Sequence, residues 1–277
     1  MKDIFYVNSI GKRLDLLKPP YLLQTGDLFD YEWGYNSVVS YAGQGKITSF
    51  LKEIQERPLT LSILNYSKES YEQAIDQFFE TVDYDVCTKS PGKLYVGEQY
   101  QKCYIITSEK TGWEYDIELL DTTITYVSEK PVWITERPYY FKQSEILSSN
   151  NKRYAGRYPY RYANGLTNAS LTNDHYTECP FRMIIYGPCT NPAVYIGGYA
   201  YSFKIVLEKG EYLEVDSAAE TVTKYMVSGI QVNAFNNRDF TNSVFRPVQT
   251  GKQEVSWNGR FDFDVILLVE RSEPKWS

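Results

Sequence analysis

Apolar residues recur at every second position through the last hundred residues, a period that lays one hydrophobic row along one face of a β-strand. Tyr199, Tyr201, Phe203, Ile205 and Leu207 alternate with Ala200, Ser202, Lys204 and Val206. Residues 208–211 contain Gly210 and read as a turn. Leu213 and Val215 then resume the alternation, so the pattern predicts a hairpin. Farther on, Asn258-Gly259 follows Val255-Ser-Trp257 and precedes a row of Phe261, Phe263, Val265, Leu267 and Val269. Both turn residues tolerate positive φ, so a second tight hairpin is expected there. The interleaved Asp262 and Asp264 fall on the solvated face of this reading, and the region is expected to be an antiparallel sandwich with a wet outer face.

The first half shows the same period with one interruption. Ile4 to Val7 predicts a short strand, Tyr31, Trp33 and Tyr35 a strand with an aromatic face, and Leu59, Leu61 and Ile63 a strand that begins after Pro58. Residues 47–54 fit helix or strand equally. Tyr71, Ala74, Ile75, Phe78, Phe79 and Val82 then switch to helical spacing, which predicts a helix over about 68–82. Ser67 or Ser70 can cap it, and Glu69 and Glu72 suit the positive end of its dipole. Strands are expected again at 93–96, 103–107 and 113–119, with a turn closing at Gly112, and at 124–126 and 132–134. Residues 142–178 lose the pattern. They carry Ser148-Ser-Asn-Asn151 and a tract from Arg153 to Tyr162 in which Arg and Tyr interleave, and they are expected to be an irregular connector.

The fold class expected is therefore mainly β. An N-terminal β-rich domain with one helix covers 1–140, a connector 141–178, and an antiparallel β-sandwich 179–277. A chain of 277 residues has ample length for two such domains without metal or disulfide staples. A fragment from residue 179 onward is expected to fold alone.

Composition narrows the function mainly by exclusion. The formal charge of −6 argues against a nucleic-acid-binding surface. Tyr is over-represented at 26 copies, and its amphipathic ring suits large protein interfaces as well as half-buried strands. Cys87, Cys103, Cys179 and Cys189 form no C-x-x-C pair, which speaks against zinc; a bridge between Cys179 and Cys189 is left open. The opening residues lack a signal-peptide core, and no stretch approaches the ~20 apolar residues of a membrane span. The expected place of assembly is a reducing cytoplasm.

The single histidine, His175, lies in the polar connector, so triads and histidine metal sites have no second member. Paired acids such as Asp262 and Asp264, or Glu114, Asp116 and Glu118, match the ordinary solubility pattern of a strand better than a glycosidase pair. No phosphate loop, calcium loop or nucleotide fingerprint is present. No catalytic, cofactor-binding or metal-binding residue is expected, and no enzyme.

The order of weak signals carries more. The C-terminal half runs through Ile196-Gly-Gly-Tyr199, a turn at Lys209-Gly-Glu211, the stretch Val227-Ser-Gly-Ile-Gln-Val-Asn-Ala-Phe-Asn-Asn-Arg238, then Gly251, Val255-Ser-Trp257 and the terminal 270–276. The start reads Tyr6-x-Asn8-x-x-Gly11, followed by Leu16-Leu-Lys-Pro-Pro-Tyr21. The first domain ends in Pro131-Val-Trp133. Together these resemble the distal tail proteins, baseplate hubs of siphophages and prophages of Gram-positive bacteria, whose C-terminal domain is galectin-like.

The resemblance implies a structural virion protein at the tail tip. It implies a ring of six copies that joins the tail tube protein to a tail-associated adhesin and carries receptor-binding proteins, with no membrane partner and no sequence-specific nucleic acid. Closing such a ring needs two complementary patches. The aromatic residues Tyr31, Trp33, Tyr35 and Trp113 of the first domain are the interface candidates. The competing reading is a carbohydrate-binding module for host wall polysaccharide, with Trp257, Asn258, Asn236 and Arg238 as its site. An endolysin-like hydrolase has only stray acids in its favour.

Overall fold

The structure, a computed structural model, describes residues 2–39, 41, 43–113, 118–143 and 167–275. The chain divides into two compact units, 1–135 with 270–277, and 136–269. The second unit is thus an insertion in the first. The Arg/Tyr tract at 153–162 and the acids Glu114 and Asp116 lie outside the described residues.

The first unit holds β1 (Ile4–Val7), β2 (Arg13–Asp15), β3 (Leu17–Lys18), β4 (Tyr21–Gly26), β5 (Gly34–Val39), β6 (Gly45–Leu51), β7 (Gln55–Leu64), α1 (Lys68–Thr88), β8 (Gly92–Val96), β9 (Gln99–Trp113), β10 (Leu119–Ser128) and the start of β11 (Trp133–Phe141). Strands order as β9-β10-β7-β4-β3, while β1 joins β2 to β8 and β8 joins β9. Pro58 does not stop a strand; it sits inside β7, opposite Thr125 of β10. β9 likewise runs through Gly112 to Trp113 instead of turning there. The core gathers Tyr6, Leu59, Leu61, Ile63, Phe78, Leu94, Ile124 and Tyr126.

The helix extends six residues past the expected end at 82. Ser67 caps it, its Oγ accepting from the Ser70 amide at 3.3 Å, and Lys89 closes it in the left-handed region at φ 53. The apolar stripe stops at Val82, but the buried face continues as Asp85, which is fully buried. Its carboxylate accepts from the Tyr6 hydroxyl at 2.5 Å and from Ser9 through its amide at 2.8 Å and hydroxyl at 2.6 Å. A buried acid is tolerable only with such partners. Gly92 is required beside it, because a Cβ there would collide with the Tyr6 hydroxyl and the Asp85 carboxylate.

The second unit holds the rest of β11 and β12 (Thr167–Asn173), β13 (Phe181–Tyr186), β14 (Cys189–Thr190), β15 (Ala193–Ile196), β16 (Tyr199–Ser202), β17 (Val206–Leu207), β18 (Tyr212–Asp216), β19 (Thr221–Tyr225), β20 (Gln231–Asn233), β21 (Gly251–Trp257) and β22 (Phe263–Arg271), whose last residues return to the first unit. One sheet runs β20-β19-β18-β13-β22 and the facing sheet β12-β21-β15-β16. Phe181, Met183, Ile185, Leu213, Val215, Phe263 and Val265 from the first meet Leu171, Val194, Tyr201, Val255 and Trp257 from the second. This is the antiparallel sandwich.

Neither expected hairpin forms. The row from Tyr199 to Leu207 buries Tyr201, Phe203 and Leu207 as its alternation requires, but it breaks into β16 and β17, which belong to different sheets. β18 pairs with β13 and β19. The Asn258-Gly259 turn does not join paired strands either: β21 pairs with β12 and β15, β22 with β13. Only Gly259 takes positive φ, at 70, while the Asn258 side chain accepts from the Arg260 amide at 3.1 Å. The turn carries the chain from one sheet across to the other. Part of the expected connector is also structural, since β12 pairs with β21 over seven residues and buries Leu171.

Candidate functional site

Residues 34–51 form a hairpin that pairs with nothing else among the described residues. β5 and β6 make a two-stranded sheet of their own, with Tyr35 opposite Phe50 and Val38 opposite Lys46. Almost every residue of both strands is exposed. Tyr35, Val38, Val39, Tyr41, Ile47 and Phe50 all present large apolar groups to solvent. Isolated two-stranded sheets are marginal, and unpaired edges with apolar faces invite another chain. Internally the hairpin is held by Asn36 Nδ2 donating to Ser49 Oγ at 3.1 Å and the Thr48 hydroxyl donating to the Asn36 backbone carbonyl at 3.0 Å.

At its root, Tyr31 and Trp33 precede β5 in irregular chain, not in a strand as expected. Trp33 meets Phe50 edge-on at 6.5 Å and donates from Nε1 to Ser272 Oγ at 3.2 Å. The Lys52 ammonium lies 4.5 Å from the Trp33 ring centre and 5.3 Å from that of Tyr31, with no hydrogen-bond partner. Burial, and then repulsion by Arg57, holds its pKa below the usual lysine value. The segments that flank the hairpin line a cavity of 340 Å³, formed by Asp27, Asp30, Glu32, Ile54, Gln55, Glu56 and Arg57.

Three of the four interface candidates are therefore clustered and exposed: Tyr31 at 54%, Trp33 at 47% and Tyr35 at 61%. Trp113 ends β9, and its side chain lies outside the described residues. Sequence reasoning missed the apolar run beyond Tyr35 and the acidic cavity. The signal was present: residues 34–51 carry one charge, Lys46, while acids crowd both flanks.

The sugar-site candidates do not converge. Trp257 is buried at 2%, packed against Phe263 at 5.1 Å, and its indole donates to the Phe261 carbonyl at 3.1 Å. Its ring face is therefore closed to a sugar. Asn258 is exposed in the crossing turn, and Asn236 is exposed on a short 3-10 turn at Phe235–Asn237. The Arg238 guanidinium is 3.5 Å from the ring centre of Phe235 and 4.7 Å from that of Phe240.

The candidates for chemistry are likewise structural. Asp264 is buried, correcting its place on a solvated face, and accepts from the Tyr186 hydroxyl at 2.7 Å. His175 shares a hydrogen bond with Thr177 Oγ1 at 2.9 Å. None of the four cysteines is in a disulfide; Cys179 donates to Asn173 Oδ1 at 3.2 Å. Among the described residues no group of three or more His, Cys, Asp or Glu is placed to hold a metal, and no helix is long and apolar enough to cross a membrane.

No protein-family model and no curated protein matches the chain. Solved structures do. A chain of the phage P2 baseplate in its activated conformation with Ca superposes with a TM-score of 0.65 at 17% identity, covering 99% of each chain. The phage p2 baseplate in its activated conformation with Sr gives 0.66 at 16%, over 99% of this chain and 100% of that one. SPP1 Dit (gp 19.1), a hub of the adsorption apparatus in phages infecting Gram-positive bacteria, gives 0.59 at 9%, over 98% and 99%. The chain thus has the mainly β fold of phage baseplate hub proteins along its whole length. These neighbours are structural proteins, not enzymes.

Proposed function

We propose that this chain is a structural component of a phage tail tip, a distal tail protein. Its copies form a ring of six that joins the tail tube to a tail-associated adhesin and to receptor-binding proteins during host attachment, after assembly in the host cytoplasm. The observation that carries this reading is the end-to-end likeness to baseplate hub chains, 98–99% of this chain on 99–100% of theirs. At such low identity two domains in one order along the whole length are the informative feature. The isolated apolar hairpin supports the ring, because closed head-to-tail assembly requires a surface that is incomplete in one copy. The buried Trp257 removes the main support for the carbohydrate reading.

The test is assembly. Six copies of a 32.2 kDa chain give about 193 kDa by light scattering, alone or with the neighbouring hub protein, and a six-fold ring by electron microscopy. Particles that never exceed two-fold dimers under either condition would sink the ring.

A further inference from the structure

The hairpin and the cavity at its root carry net charge of opposite sign. Lys46 is the single charged residue of 34–51, exposed near the hairpin tip opposite Val38. It makes no ion pair among the described residues. Asp27, Asp30, Glu32 and Glu56 line the root cavity, and none of them is paired with a cation either. Arg57, the cation in that lining, donates to the Asp27 carbonyl at 2.8 Å and Gln55 Oε1 at 2.8 Å, and four carboxylates against its single charge leave the lining net negative. Lys46 is not among the residues that line the cavity of its own chain. From Val38, its partner, to Gly34 at the root is four residues, roughly 13 Å of strand, before the cavity begins.

We propose that the occupant of this surface is a second copy of the chain, docked tip to root. The hairpin tip of one copy, with Val38, Val39 and Ile47, lies on the root of the next, and its Lys46 ammonium enters the cavity among Asp27, Asp30, Glu32 and Glu56. Two different patches on each chain are thereby matched, which is the heterologous contact that closes a ring. The apolar residues supply burial, while the lysine and the acids fix direction and register, since tip against tip or root against root would oppose like charges. Ile54, exposed in the cavity lining, meets the tip's apolar side. The assignment rests on the ring reading and adds which surfaces meet.

The experiment is zero-length carbodiimide cross-linking of an equimolar mixture of heavy-isotope-labelled and unlabelled full-length chains, read by mass spectrometry. Mixed-isotope peptides that join Lys46 to Asp27, Asp30, Glu32 or Glu56 are expected. Lys46→Glu should raise the concentration needed for half-assembly about tenfold or more, as should Asp30→Lys, and the two together should recover most of the loss. Both positions are exposed, so the variants should melt like the parent. If copies associate but Lys46 links to other carboxylates, or the double variant is no better than the singles, the tip-to-root contact is overturned and the ring stands. If the parent stays at 32.2 kDa at every concentration and with the hub protein added, the ring itself fails and the contact with it.

Discussion

Phe263 shows what a single side chain does in the second unit. It has no exposed surface, stacks on Phe141 at 4.7 Å and stands edge-on to Trp257 at 5.1 Å. Phe141 comes from β11 and Trp257 from the facing sheet, so one ring ties three strands. Phe263→Ala removes that contact and leaves a cavity, with an expected cost of about 3–5 kcal/mol. A thermal melt should show a fall of many degrees; a midpoint within a degree or two of the parent would contradict the packing. The face of Phe263 was legible from the alternation alone. Its neighbour Asp264 was not. The same period that put Phe263 inside put Asp264 outside, yet Asp264 is buried because Tyr186 reaches it from the adjacent strand. Alternation reports which face a residue takes, and not whether that face is covered.

At the scale of elements, the helix was read well at its start and poorly at its end. The sequence offered Ser67 or Ser70 as the cap, and the structure selects Ser67, whose hydroxyl accepts from the amide three residues on. Ser67→Ala should cost about 1 kcal/mol, measured by denaturant melts of the full chain, with Ser67→Asp close to the parent. An alanine variant as stable as the parent would show that water caps the end equally well. The far end extends over Asp83 to Thr88 because Asp85 finds Tyr6 and Ser9, contacts across roughly eighty positions that no local pattern encodes. The missed hairpins have the same cause. Rows such as 199–207 and 261–269 state their apolar faces but not their partners, and a sandwich satisfies them by sending consecutive strands to opposite sheets. The reverse happened at 34–51, where a hairpin does form but shows little alternation, because neither face is covered within one chain.

At the scale of the whole molecule, the insertion of one unit within the other makes a specific demand on any fragment. The core of the second unit lies between Phe141 and Val269, and it includes Leu171 of β12. β12 occupies one end of its sheet and gives β21 a partner along all seven of its residues. A fragment starting at 179, the boundary suggested by the polar stretch, discards β12 and Phe141. It also retains 270–277, which belongs to the other unit. Losing β12 would leave β21 with only the three-residue pairing to β15 on one side and a bare edge on the other. A fragment of residues 136–269 keeps the core whole, and its two ends lie on β11 and β22, neighbours in one sheet. That fragment is expected to melt in a single cooperative transition with a β-type circular dichroism spectrum, and the fragment 179–277 to give a broad transition or aggregate. Equal cooperativity in the two would show that β11 and β12 are dispensable, so that the polar stretch does mark where the sandwich begins.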